Sequence, residues 1–416
     1  MFVAVAKASL TFAMVVLIVG CSGSTPGSPQ APASQTSPGA PAVASTPASV
    51  AASDLRQGHW STLALAPIHG RSRQSVVWTG HQLLVWGGFS YLTKMMFADG
   101  AAYDPVTNHW HKIHDGPLSP RVGQVAIWTG REMVVWGGFS AADTVVRRSL
   151  GDGAAYNPTT DSWRKLPTSP LASRGGAFGV WTGTETIVIG GVSGSGKTFV
   201  DGAAFDPQTQ HWRVIPPPSP VGGHPITWET AVYVDGQLLA WSQWSTVSQP
   251  GTRGGVDLFA YSSDTAAWRP IPPSPAAPAV VRQAVVANSV VIVRGLPFAC
   301  SGLCPFVPEV MASYDPATMV WSRLPPIPWD GASLTLWTGA ALFAFDDSFV
   351  GREASPGDAI AYDPTNHEWL RLPATRLLCS ITDASVWTGR EVVLFCQDDD
   401  LGGGPPSVSG LAFEVS

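Results

Sequence analysis

An aromatic residue followed seven positions later by tryptophan recurs about every fifty residues, and no other feature limits the possible folds as tightly. The pairs are Tyr103/Trp110, Tyr156/Trp163, Phe205/Trp212, Tyr261/Trp268, Tyr314/Trp321 and Tyr362/Trp369. Between the members of each pair lies a turn such as Asp104-Pro105-Val106-Thr107-Asn108. Proline presets φ there, and the aspartate can accept from nearby amides. A second landmark alternates with the first: Trp78-Thr79-Gly80, Trp128-Thr129-Gly130, Trp181-Thr182-Gly183, Trp337-Thr338-Gly339 and Trp387-Thr388-Gly389. Val234-Asp235-Gly236 and Val286-Ala287-Asn288 fill the two gaps in that series. Apolar runs flank each of these turns, and glycine or asparagine suits the positive φ of a tight hairpin. Each unit therefore reads as four strands in two hairpins. Such a unit has two apolar faces and must stack on neighbours to bury them.

Counting predicts the architecture. There are seven turn landmarks and seven aromatics, the last being Phe413, but no tryptophan stands seven residues after it. His59-Trp60-Ser61 precedes the first unit instead. The N-terminal strand is thus expected to complete the seventh blade and join the ends of the ring. Closure protects repeat interfaces that would otherwise need separate caps. Composition agrees, since 43 Gly and 37 Pro disfavour helix interiors and suit many short strands with frequent turns.

An apolar strand ending in Gly-Gly, then an aromatic, then Trp resembles the kelch repeat. Gly87-Gly88, Gly137-Gly138 and Gly190-Gly191 carry the glycine pair in blades 1 to 3. Later blades depart: Ser242-Gln243 in blade 4, Gly295 alone in blade 5, Asp346-Asp347 in blade 6 and Cys396-Gln397 in blade 7. The resemblance implies an all-β, seven-bladed β-propeller of four-stranded kelch-type blades over residues 53–416. Propellers of that kind include passive binders and also secreted sugar oxidases and a sialic acid epimerase. The copper radical oxidases among them use Tyr, His and a Tyr–Cys crosslink. No cysteine here sits in a comparable free position, so no copper and no other cofactor is expected.

The first twenty residues read as a targeting segment, with Lys7 ahead of an almost wholly apolar run from Leu10 to Val19. That run is too short for a comfortable membrane span. Ile18-Val19-Gly20-Cys21 resembles the lipobox of bacterial lipoproteins, in which the cysteine becomes the lipidated N-terminus. The resemblance implies a signal peptide over 1–20, a lipid on Cys21 and an extracytoplasmic, membrane-anchored protein. Residues 21–52 hold mostly Ser, Thr, Pro, Gly and Ala. They bury too little apolar surface to offset ordering entropy, so a disordered tether is expected. Four cysteines follow, and an even number outside the cytoplasm suggests the disulfides Cys300–Cys304 and Cys379–Cys396.

Several motifs invite chemistry. Gly191-Val192-Ser193-Gly194-Ser195-Gly196-Lys197-Thr198 satisfies the P-loop pattern, but a strand is expected after it where a P-loop needs a helix, so no nucleotide is expected. Arg71, Arg121 and Arg174 each stand seven residues before their turn Trp. They read either as cations on a ligand-binding face or, preferably, as partners of Asp99, Asp152 and Asp201 in surface ion pairs of little energetic weight. Asp346-Asp347 and Asp398-Asp399-Asp400 fall in neighbouring loops and make a weak cation candidate, although the spacing fits no established calcium loop. His109 and His111 read as an exposed pair on an outer strand, and the repeated tryptophans as core. A net charge of −6 without basic runs excludes a nucleic-acid partner. The functional expectation is a monomeric surface module binding a protein or glycan through one propeller face. The alternative is an extracytoplasmic carbohydrate-active enzyme.

Overall fold

The computed structural model describes residues 50–90, 93–140, 148–245, 254–297, 309–328, 332–346, 359–375, 381–396 and 410–415. Seven antiparallel sheets of four strands each follow one another along the chain. Blade 1, for example, is built from Ser75–Trp78, Leu83–Trp86, Gly100–Asp104 and His109–Lys112, innermost strand first. Each innermost strand packs on those of the two adjacent blades, and the one in blade 7 packs on the one in blade 1. The ring is closed. Its last sheet takes its outer strand from the N-terminal region, as the repeat count requires. His59–Thr62 pairs with Gly410–Glu414, with Trp60 opposite Phe413 as Trp110 stands opposite Tyr103.

Alternation along the strands explains the stacking. In Leu83–Trp86 every residue is buried, because successive side chains point to opposite faces and both faces are covered. Leu83 and Val85 pack with Val393 and Phe395 of blade 7, whereas Leu84 and Trp86 pack with Met133 and Val135 of blade 2. The third strands begin Gly-Ala-Ala in blades 1 to 3, where space is shortest. A Cβ on Gly100, Gly153 or Gly202 would stand 2.4 to 2.7 Å from a second-strand carbonyl oxygen.

The tryptophans depart from the expectation of core. The seven aromatics that define the repeat are sealed, but of their Trp partners only Trp110 is fully buried; the rest sit half-buried on outer strands. The reason is their position at the rim, where one indole edge reaches the neighbouring blade. Trp163 Nε1 donates to the His114 carbonyl at 2.8 Å, Trp268 to Pro216 at 2.7 Å and Trp60 to Pro373 at 2.7 Å. In blades 2, 3, 4, 6 and 7 the indole thus ties its blade to the one before it while lying tilted or edge-on against its own Tyr or Phe, whereas Nε1 of Trp110 and of Trp321 has no partner among the described residues. The packed body also begins slightly earlier than the tether boundary suggests. Val50 pairs with Gly339, and Ala52 and Leu55 of a four-residue helix, Ala52–Leu55, are buried against Phe343 and Phe345 of blade 6.

Candidate functional site

The propeller has two ends with different chemistry. At the end where the chain enters each innermost strand, blades 1 to 3 carry the three arginines. All three are sealed from solvent. Arg71 Nη1 meets Asp99 Oδ1 at 2.8 Å, Arg121 meets Asp152 at 2.9 Å and Arg174 meets Asp201 at 2.8 Å. The pairing is the preferred reading of the sequence, but its setting differs from a surface bridge because the guanidinium is fully covered. Each also donates to the first glycine carbonyl of its blade: Arg71 to Gly87, Arg121 to Gly137 and Arg174 to Gly190, all at 3.1 Å. The second glycine then donates to the next blade's arginine carbonyl, Gly88 to Arg121 at 3.1 Å and Gly138 to Arg174 at 2.8 Å. Gly87 and Gly88 hold φ of 70° and 104°, which a side chain would strain. Arginine, aspartate and glycine pair are therefore one device, a girdle linking consecutive blades. Burial alone would raise the Asp99 and Asp152 carboxyls; the guanidinium beside each outweighs it and holds them below the ordinary range. With their charges covered, the arginines do not form a cationic binding arc.

The same end carries a second grouping in blade 4 that sequence reasoning missed. The His224 ring stacks on Trp244 at 3.8 Å, and its Nδ1 lies 3.2 Å from Asp257 Oδ2. These residues are far apart in sequence and belong to no repeat landmark. The P-loop-like segment is a tight loop between strands: Val192 bridges Gly175 and Thr198, and the Ser193 amide donates to the Lys197 carbonyl at 2.8 Å.

At the opposite end lie the Trp-Thr-Gly turns and the turns before the outer strands. Here a cleft of about 410 Å³ opens at the seam of blades 7 and 1. Its walls include Trp78, His81, Asp104, Val106, Arg390 and Glu391. Glu391 is only 4% exposed, and its Oε1 has no hydrogen-bond partner. Burial and then the nearby Glu414 charge push its carboxyl up to about 7, with Arg390 opposing. Across the seam, burial followed by the charges of Glu391, Glu414 and Asp104 raises the Tyr103 hydroxyl. The cleft thus combines an aromatic wall with a surplus of carboxylate. A signal for it exists in the repeats, since Thr-x-x-Glu occurs at Thr129/Glu132, Thr182/Glu185 and Thr388/Glu391.

His109 and His111 are exposed on either side of buried Trp110, as expected. Cys21, Cys300, Cys304, Cys379, Asp347, Asp398, Asp399 and Asp400 lie outside the described residues, as does the stretch before Val50 expected to be a tether. Asp346 and Cys396 end second strands, opposite Ala332 and Ile381, with side chains outside the described set.

Residues 42–242, just under half of the chain, match the model of the KLHDC2/KLHL20/DRC7 Kelch-repeats domain. A solved structure described as "Structure of YjhT" is similar at 16% identity and a TM-score of 0.49, covering 75% of this chain and 100% of that one. A likeness of that size says nothing about activity. No curated protein matches. The chain therefore folds as a closed seven-bladed β-propeller of four-stranded blades, and residues 42–242 of it are similar to a Kelch-repeats domain.

Proposed function

We propose that the chain is a lipid-anchored, extracytoplasmic binding module. Cys21 carries the lipid, the Pro/Ala/Ser-rich stretch before Val50 acts as tether, and the propeller recognises a protein or glycan through one end. The observation that carries the binding role is the seam cleft. It is concave, one wall is aromatic, and a buried carboxylate inside it lacks a partner, which is the pattern of a site that orients a ligand by few polar groups. The two suggested disulfides, Cys300–Cys304 and Cys379–Cys396, fit the same compartment.

The test has two arms. Cys21→Ala should move the protein from the membrane fraction to the soluble one, and unchanged partitioning would overturn the anchor. Detergent-solubilised full-length protein should retain ligands on glycan and peptide arrays, and Trp78→Ala should weaken that retention at least tenfold. Turnover of a bound sugar that is lost in His224→Ala would replace the binding module with the carbohydrate-active enzyme.

A further inference from the structure

The seam cleft becomes informative when blade 7 is compared with the other blades. In blades 2 and 3 the residue three past the turn threonine is a glutamate, and its amide donates to that threonine's Oγ1 at 3.1 and 2.9 Å. The residue following the outer-strand Trp is an arginine, and it clamps that glutamate with two hydrogen bonds. Arg164 reaches Glu132 at 3.2 and 2.6 Å, and Arg213 reaches Glu185 at 2.8 and 2.6 Å. The third guanidinium edge crosses to the next blade, Arg164 to Gln210 and Arg213 to the Tyr261 hydroxyl at 2.8 Å.

Blade 7 keeps one half of this arrangement. Glu391 occupies the glutamate position, and its amide donates to Thr388 Oγ1 at 3.1 Å. Its outer strand, however, comes from the N-terminal region, and the residue after Trp60 is Ser61. Ser61 Oγ turns to Glu414 at 2.8 Å and leaves Glu391 alone. The remaining blades match the two positions without an orphan: Gln82 with His111, Gln237 with Arg269, Val290 with Ser322 and Ala341 with Leu370. Among the described residues, an acid without a base at this pair of positions occurs in blade 7 alone. Tyr103 stands across the seam as the counterpart of Tyr261, and the turn 104–106 of blade 1 forms the other wall of the cleft.

A purely structural role does not account for Glu391. Glutamine in blade 1 and alanine in blade 6 fill the same position without burying a charge, whereas an unpaired buried carboxylate costs stability. We propose that the seam of blades 7 and 1 is a recognition site for a guanidinium group, the arginine side chain of a peptide ligand, held by Glu391 in the place that the chain's own arginines fill in blades 2 and 3. A guanidinium satisfies both carboxylate oxygens at once, which an ammonium does not, and its aliphatic stem suits the Trp78 wall.

The surrounding charges favour a cation. Glu414 lies on the adjacent third strand and Asp104 and Tyr103 on blade 1, while Arg390 and the imidazoles of His59 and His81 supply the opposing groups. Affinity should therefore rise with pH as Glu391 ionises.

The assignment rests on the binding role proposed for this cleft, and titration calorimetry on the full-length protein tests it. The probes are a blocked Gly-Arg-Gly tripeptide, its Gly-citrulline-Gly isostere and agmatine. The arginine peptide should bind at least tenfold more tightly than the citrulline peptide, more tightly at pH 8 than at pH 5.5, and more tightly than agmatine. Glu391→Gln should weaken it at least tenfold. Ser61→Arg should abolish it while raising the melting temperature, because the chain's own guanidinium then occupies the site; Ser61→Ala should leave binding unchanged. Equal binding of the arginine and citrulline peptides, or a Ser61→Arg protein that binds like the parent, would overturn the proposal. Agmatine binding as tightly as the peptide would overturn the peptide assignment. Glycan retention at this cleft without arginine binding would overturn the cation site and leave the binding module standing.

Discussion

Glu391 and Asp152 are both acids on one ring, and burial acts on both in the same sense, yet their protons end up displaced in opposite directions. For Asp152 the buried Arg121 guanidinium outweighs desolvation, so the stability it contributes is present above the ordinary carboxylate range and lost only as pH falls below it. Glu391 has no such partner, and burial with Glu414 lifts its carboxyl from 4.5 to about 7. A raised acid favours the folded state fully below its unfolded value, and that advantage fades as pH climbs through the folded one. Without ligand, Glu391→Gln should therefore leave the melting temperature unchanged near pH 4.5 and raise it at pH 8. The displacement corresponds to about 3 kcal/mol as an upper bound. Calorimetric scans at the two pH values check this; a difference that stays constant across them would show that the carboxyl is already paired.

Elements are joined here by two kinds of fastening. In five blades the outer-strand indole reaches back to the preceding blade's backbone at the rim. The arginine girdle does the corresponding work near the axis, among the described residues in blades 1 to 3. The two partners of a girdle pair are not equivalent. Arg121 is sealed, whereas the Asp152 side chain is 57% exposed. Removing Arg121 leaves the Gly137 and Ser119 carbonyls without their donor and opens a void, so Arg121→Ala should cost about 3–5 kcal/mol. Asp152→Asn should cost clearly less, because solvent screens the exposed carboxylate and the guanidinium keeps its carbonyl partners. Urea unfolding of the two variants decides it. Equal losses would mean that the ion pair, and not the carbonyl network, carries the girdle.

Closure is a property of the whole molecule, and it hangs on four residues. His59–Thr62 supplies the strand on which Trp60 meets Phe413 at 5.0 Å and Phe345 at 5.5 Å. Deleting residues 22–49 should leave the melting temperature unchanged. Deleting through residue 66 removes the outer strand of blade 7 together with Leu55 and exposes the face of Phe413. Trp60 is half-buried, but its loss comes with that of buried Leu55 and of the strand pairing, and one large aliphatic side chain lost from a core alone costs roughly 2–5 kcal/mol of the usual margin of about 5–15 kcal/mol. The longer deletion should thus melt far lower or fail to fold. Equal melting temperatures would separate Trp60 from the ring.

The blade count, the four-strand unit and the closure by Trp60 were all legible in the sequence, because strand alternation and turn chemistry are local and repetition multiplies a weak signal seven times. The Arg–Asp partnership was legible too, from equal spacing in three blades. Its depth was not, since covering a guanidinium depends on how the next blade's glycine pair lies over it. Nor was the half-burial of the tryptophans, which follows from an outer strand facing solvent on one side. The seam cleft lay furthest from view. Ser61 and Glu391 become neighbours only when the ring closes, and only there does a strand borrowed from the other end of the chain bring serine to a carboxylate that elsewhere meets arginine.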